Sequence, residues 1–259
     1  MKIAAWNVNS IRARLPHVLR CLAEFAPDVV LLQETKSTDE TFPFDELEAE
    51  GYHVVHHGQK SYNGVAIVSR LPLRDVEKGM PQRPDDAQAR VIAATVDYRD
   101  KPLRVVSVYV PNGQSVESDK YVYKLSWLED YFKYLTAAQK KYGAVAAGGD
   151  YNIAPRDEDI YDPEVWGEDV PASPKERAAL RKIIDAGYAD SQLLFPQTEQ
   201  SFSWWDYRRG AFDRNHGLRI DLILLSSSVV GDCVACEPDA SPRGWERPSD
   251  HAPVIARLR

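Results

Sequence analysis

Four short segments set polar side chains at the lip of an apolar run: Leu31-Leu32-Gln33-Glu34, Gly149-Asp150-Tyr151-Asn152, Leu218-Arg219-Ile220-Asp221 and Pro248-Ser249-Asp250-His251-Ala252-Pro253-Val254. A hydrophobic strand that stops abruptly at Asp, Glu, Asn or His is expected where a site is built on strand ends. Asn7 closes an N-terminal run in the same manner, and Asp150 and Asn152, two residues apart, leave their strand pointing the same way. If these ends converge, they form a small pocket of carboxylates, amides and one imidazole. Mg²⁺ (or Mn²⁺) takes oxygen ligands and keeps several waters, so one or two carboxylates and an amide suffice to hold it. A histidine oriented by a carboxylate works near neutral pH as a base or as a cation facing a developing anion. Together these groups suit metal-assisted attack of water on a phosphodiester. Taken singly, each segment has a plainer reading as a surface acid, an Asp/Asn turn or a capped loop; their joint appearance carries the weight.

The elements that must position these groups follow from pattern. Strands are expected over 2–7, 29–33, 52–56, 65–69, 91–97, 103–110, 144–147, 219–225, 229–236 and 254–258, some alternating and others continuously apolar, as for strands covered on both faces. Asn63-Gly64 and Asn112-Gly113 mark turns. Helical spacing covers 15–25 and 120–141, the latter with a Leu125, Leu128, Phe132, Leu135 stripe. A third helix opens on the capping box Ser173-Pro174-Lys175-Glu176 and stops at Gly187. Residues 157–172 are acidic and read as a surface excursion. No low-complexity linker interrupts the chain, so a single domain over 1–259, with mixed sheets covered by helices, is the simplest reading.

Composition narrows the partners. With 259 residues and 44% hydrophobic content the chain can bury a large core. Thirty-two Lys and Arg against 39 Asp and Glu give a net charge of −7, which opposes indiscriminate binding to nucleic acid. A polyanion must therefore be met by a local basic patch or through bound cations. No apolar run approaches the roughly 20 residues of a membrane-crossing helix, and the first six residues read as a strand and not as a signal peptide. A cytoplasmic monomer is expected. Three cysteines cannot complete a disulfide framework. Cys233 and Cys236 have half-site spacing but fall in an alternating stretch, so they read as buried, reduced strand residues. His56-His57, before Gly58, reads as surface.

The motifs together resemble the exonuclease III family of abasic-site (AP) endonucleases, within the endonuclease/exonuclease/phosphatase superfamily. The resemblance runs the whole length. It rests on Trp6 to Arg14, Leu32-Gln33-Glu34-Thr35-Lys36, Gly58-Gln59-Lys60, Tyr109-Val110-Pro111-Asn112-Gly113, Gly149 to Pro155, Phe202-Ser203-Trp204, Gly217 to Asp221 and Pro248 to Val254. It implies a DNase I-like four-layer α/β sandwich, two packed mixed sheets flanked by helices, with the site at one edge. Carried over, Glu34 is the main metal carboxylate, with Asn7, Asp150, Asn152, Asp250 and His251 as further ligands or close neighbours. Tyr109 bonds the phosphate or assists as phenolate, and Asn152 bonds the attacking water or the oxyanion. Asp221 orients His251. The proton acceptor is either Asp150 or the Asp221–His251 pair, with Asp150 favoured and His251 as phosphate contact.

The implied partner is double-stranded DNA with abasic sites or blocked 3′ ends. Trp204, Leu218 and Ile220 correspond to an apolar pocket that holds a baseless deoxyribose and rejects a full base by size; extrusion costs least where pairing is already lost. Phosphates would be met by Arg12 and Arg14, by Lys60 in the 59–63 loop, and by Asn112, Arg208, Arg209 and Arg214. Two departures stand out: Tyr151 where Phe or Met is usual, and the 157–172 loop, which affects the balance of endonuclease and 3′-end work. The rival readings are a 3′-end-processing exonuclease, a phosphatase of lipid or signalling phosphates, and a DNA-binding module without catalysis.

Overall fold

The computed structural model describes residues 1–196 and 200–259. In chain order the elements are β1 (Lys2–Asn7), α1 (Ile11–Phe25), β2 (Val29–Gln33), α2 (Phe44–Ala49), β3 (His53–His57), β4 (Val65–Ser69), β5 (Arg74–Lys78), β6 (Val91–Tyr98), β7 (Lys101–Tyr109), α3 (Asp119–Tyr142) and β8 (Ala144–Asp150). Then follow α4 (Pro163–Trp166), α5 (Pro174–Asp185), β9 (Tyr188–Asp190), β10 (Trp204–Trp205), β11 (Gly217–Leu218), β12 (Asp221–Ser226), β13 (Cys233–Pro238) and β14 (Val254–Leu258).

Two six-stranded sheets result, ordered β13-β14-β1-β2-β4-β3 and β5-β6-β7-β8-β12-β9. Each contains one parallel pair, β1 with β2 and β7 with β8, and each pair is bridged by a helix, α1 or α3. Parallel neighbours require such a crossover, whereas the antiparallel ones do not. The sheets pack face to face through Ile3, Ala5, Leu31, Val105, Ala146, Ile223 and Val254. Their outer faces are covered by α1 and α2 on one side (Trp6, Ile11, Val18, Leu22, Leu47) and by α3 and α5 on the other (Val106, Trp127, Tyr131, Leu180, Ile183). This is the four-layer α/β sandwich. At about 25 cal/mol per Å² of apolar surface removed from water, these three interfaces dominate stability.

Alternation along the strands places the site. Successive side chains point to opposite faces. Ile3 and Ala5 face inward and Asn7 continues that parity; so do Leu103, Val105, Ser107 and Tyr109 on β7, Ala146, Gly148 and Asp150 on β8, and Asp221, Ile223 and Leu225 on β12. Register brings the last members together, because Asp150 is the ladder partner of both Tyr109 and Asp221. The sheets close tightly beneath them. A Cβ on Gly148 would lie 2.9 Å from Leu31 Cδ1 and 3.2 Å from Ala5 Cβ, so any larger residue there would wedge the sheets apart.

Several boundaries depart from expectation. The helix expected from 15 begins at Ile11, because Ser10 caps it by accepting from the Ala13 N–H and the backbone N–H groups of Ser10 and Ile11 bond Glu34 and Thr35. The strand expected over 229–236 is Cys233–Pro238, since a 3₁₀ turn at Val230–Asp232 interrupts it. Asp221 opens β12 and does not close a strand; Arg219 is pulled out of the ladder by Asp159 and Asp190 at 2.7 Å each. β5, β9, β10 and β11 have too weak a pattern to be read. The 157–172 excursion is a surface segment in its middle, where Glu164, Val165 and Glu168 are exposed, but it is anchored at both ends by buried Asp159, Ile160, Val170 and Ala172. His56 is also buried, stacked on Phe42 at 4.0 Å between ring centres and bonded to Thr35 Oγ1 (2.9 Å) and Asp39 Oδ1 (2.7 Å). Cys236 is buried and Cys233 half-buried, both as free thiols. Among the described residues no helix is long and apolar enough to cross a membrane.

Candidate active site

At the shared edge of the two sheets Glu34, Asp150 and His251 each bring one ligand-type atom within 4.8 Å of one another. Glu34 follows the last residue of β2 in the left-handed region (φ 48°), and Asn152 follows β8 in the same conformation (φ 49°). Such backbone persists where its surroundings over-determine it. Here the Glu34 carbonyl accepts from Ser10 N at 2.8 Å, and Asn152 N donates to Asp150 Oδ1 at 2.9 Å.

Asn7 bridges the carboxylates. Its Nδ2 donates to Glu34 Oε1 (2.8 Å) and Asp150 Oδ2 (3.0 Å), while its Oδ1 accepts from Asn9 N (3.0 Å). Asn152 receives Asn112 Nδ2 on its Oδ1 at 3.0 Å and donates to Val110 O at 3.0 Å. The Asn7 amide nitrogen is thus turned toward the two carboxylates, while the Asn152 amide is held between Asn112 Nδ2 and the Val110 carbonyl. Asp250 lines the same cavity, and its oxygens accept from Asn9 Nδ2 and Trp204 Nε1 at 3.0 Å each. The oxygen-rich core is therefore Glu34 with Asp150. A cation fits there: the Lys36 ammonium already lies 2.8 Å from Glu34 Oε2.

His251 Nδ1 meets Asp221 Oδ2 at 2.8 Å, and Nε2 faces Asp150 Oδ2 at 3.7 Å. Ser203 Oγ donates to the same Asp221 oxygen at 2.6 Å, while Trp6 Nε1 holds the His251 carbonyl at 3.0 Å. Burial disfavours the imidazolium, but Asp221 and Asp150 outweigh it and raise the His251 pKa. Burial also drives the Asp150 pKa up, with His251 pulling down and the Asp221 and Glu34 charges pushing further up. A carboxyl held above its ordinary range beside a histidine whose cationic form two carboxylates favour is an arrangement able to accept a proton and stabilise an anion. Burial, then the Glu34 and Asp150 charges, push the Tyr109 phenol far above its ordinary value. At neutral pH it is an O–H donor, not a phenolate.

These groups floor a cavity of about 380 Å³ whose wall is apolar: Trp204, Leu218, Ile220, Trp166, Val170 and Pro171. Trp166 and Pro171 come from the excursion that reads as surface in the sequence; an aromatic in an acidic stretch was the available signal. Asn112 reaches the rim and is exposed, as are Arg12, Lys60 and Arg208. Arg14 is engaged elsewhere, bonding Asn9 O at 2.6 Å and Pro248 O at 3.1 Å. A larger cleft of about 530 Å³, between Phe195 and Ala240, carries one carboxylate, Glu237, and no histidine, so the chemistry lies in the smaller one.

The endonuclease/exonuclease/phosphatase family model matches residues 4–251, nearly the whole chain. The chain belongs to this family. It is 38% identical to exodeoxyribonuclease III of Haemophilus influenzae, with both chains covered completely. Among solved structures it is similar to the 3′ phosphatase NExo from Neisseria bound to a product DNA hairpin (43% identity, TM-score 0.97, covering 100% of this chain and 99% of that one). It is also similar to an AP endonuclease from Archaeoglobus fulgidus (37% identity, TM-score 0.93, with the same coverage). The two-sheet frame found here is shared with these two solved structures.

Proposed function

We propose that this hydrolase is a DNA repair phosphodiesterase that cuts the backbone 5′ to abasic sites, leaving a 3′-OH and a 5′-deoxyribose phosphate, and that also removes blocked 3′ ends and nucleotides in the 3′-to-5′ direction. The observation that carries the reading is the apolar wall of Trp204, Leu218 and Ile220 standing directly over Glu34, Asp150 and His251. A sugar without its base fits such a wall, while a phosphate at its foot faces the charged floor.

In this reading Asp150 takes the proton of the attacking water, and the Asn152 amide orients that water. His251, held by Asp221, faces the charge that develops on the phosphoryl oxygens, and the Tyr109 O–H donates to one of them. Glu34, with Asp150 beside it, would hold Mg²⁺ (or Mn²⁺), which when bound supplies charge neutralisation at the phosphate. The exposed Arg12, Lys60 and Arg208 would hold the flanking backbone. The similarity to a 3′ phosphatase favours a second reading in which 3′-end processing dominates.

One experiment separates them. Labelled duplexes carrying a tetrahydrofuran abasic analogue, a 3′-phosphate or no lesion are incubated with Mg²⁺ or with EDTA. Mg²⁺-dependent incision beside the analogue supports the first reading. Removal of the 3′-phosphate without internal incision selects the second, and inertness toward all three would overturn both.

A further inference from the structure

We infer that Lys124 and Glu176 form a positioning pair for the reaction, in which a buried ammonium fixes Asn152 and Asn112 from behind; the inference rests on the phosphodiesterase reading above. Neither side chain is exposed, and they meet at 2.5 Å (Lys124 Nζ to Glu176 Oε2) across the contact of α3 with α5. Lys124 Nζ also donates to the backbone carbonyls of Asn152 at 2.7 Å and Asn112 at 3.1 Å. These two residues bond each other through their side chains, from the rim to the floor of the cavity, and Asn152 stands in the left-handed conformation that needs outside support.

The second Glu176 oxygen accepts the Ser173 N–H at 2.9 Å, and Ser173 Oγ meets Tyr121 Oη at 2.5 Å. Ser173 follows Val170 and Pro171, which line the cavity wall. Between wall and ammonium lies Gly113, where a Cβ would come within 3.0 Å of Lys124 Cδ and 3.5 Å of Val170. The pair therefore ties three rim segments to one point. A buried ion pair is weak support for stability, because apolar residues of like volume often serve the fold as well. What apolar residues cannot supply are the N–H donors that face two carbonyls.

The test compares Glu176→Gln with Lys124→Met/Glu176→Met and Lys124→Met/Glu176→Gln in the whole protein. Glu176→Gln keeps the amine donors and an acceptor for Ser173, so its kcat loss should be about tenfold smaller than that of the double variants. The double variants leave no orphaned charge. They should keep a cooperative melt and bind the abasic duplex in EDTA within about 3-fold, yet lose about 100-fold in kcat, the scale of a small misplacement of reacting groups. Hydrogen exchange should quicken at 110–116 and 150–156 and stay unchanged in β1, β2 and β8 before 149. Unchanged kcat and exchange in the double variants would overturn the inference, as would equal kcat losses in all three variants. If wild type cuts none of the DNAs, the functional reading fails, while the exchange pattern still decides whether the pair holds these segments.

Discussion

Asn7, Tyr109, Asp150 and Asp221 stand on strands laddered on both sides, whereas Trp204 and Leu218 sit in two-residue strands and Trp166 in a four-residue helix. Much of the floor is thus fixed by the same register that builds the sheets, with Glu34 and His251 just outside the strand ends, and the wall by short pairings and side-chain packing. The difference teaches that charge placement is inherited from the frame and contour is adjustable. Altering the floor should abolish chemistry on every substrate; altering the wall should change which substrate is chosen.

The sharpest way to break this contrast is Asp150→Asn. Loss of a positioned proton acceptor costs about 10²–10⁴-fold, and single-turnover rates should fall by that much on abasic and 3′-phosphate DNA alike. A drop below tenfold would move the proton to the Asp221–His251 pair. Next in size is the acid sensitivity of the frame. His56 is neutral in its buried place because burial lowers its pKa to about 4, against the pull of Asp39. A depressed folded pKa gives stability that is complete above the unfolded value near 6.5 and is lost as pH falls through 4. About 3 kcal/mol should disappear over that window; urea midpoints at pH 7 and pH 4 would show it, and His56→Phe should flatten the dependence.

For the wall, Trp204→Ala should lower the ratio of abasic to undamaged cutting by about tenfold, the scale of a shape change in an apolar pocket. Competition between the two duplexes measures it, and a uniform loss on both would assign Trp204 to the floor instead. The smallest effect is expected at the rim. Arg208→Ala should weaken DNA binding a few-fold and reduce the slope of log K against log salt by about one. An unchanged salt slope would remove Arg208 from the phosphate path.

Floor and wall were unequally legible in the sequence. Glu34, Asp150 and His251 could be found because an apolar run ending in an acid or imidazole is visible in one dimension. Asp221 looked like such an ending and is a beginning; strand direction is not written in the pattern, and antiparallel pairing sets the start of β12 beside the end of β8. The orientation of the Asn7 and Asn152 amides depends on partners up to 143 residues away, Asp150 among them. Lys124 reads as one more polar position on a helix. Its burial follows from Glu176 on a second helix, 52 residues on. Asp159, in a stretch that looked solvated, is buried because Arg219 and Arg156 come to it.

The strict inward parity that ends in Asp150 works as a phase. Adding one residue inside β8 would turn Asp150 toward α3 and bring a neighbour inward. Length changes in this chain therefore differ in kind according to where they fall: one within the mostly exposed residues 162–169 would remould the cavity wall and leave the floor in phase, while the strands beneath the floor admit substitutions but no insertions.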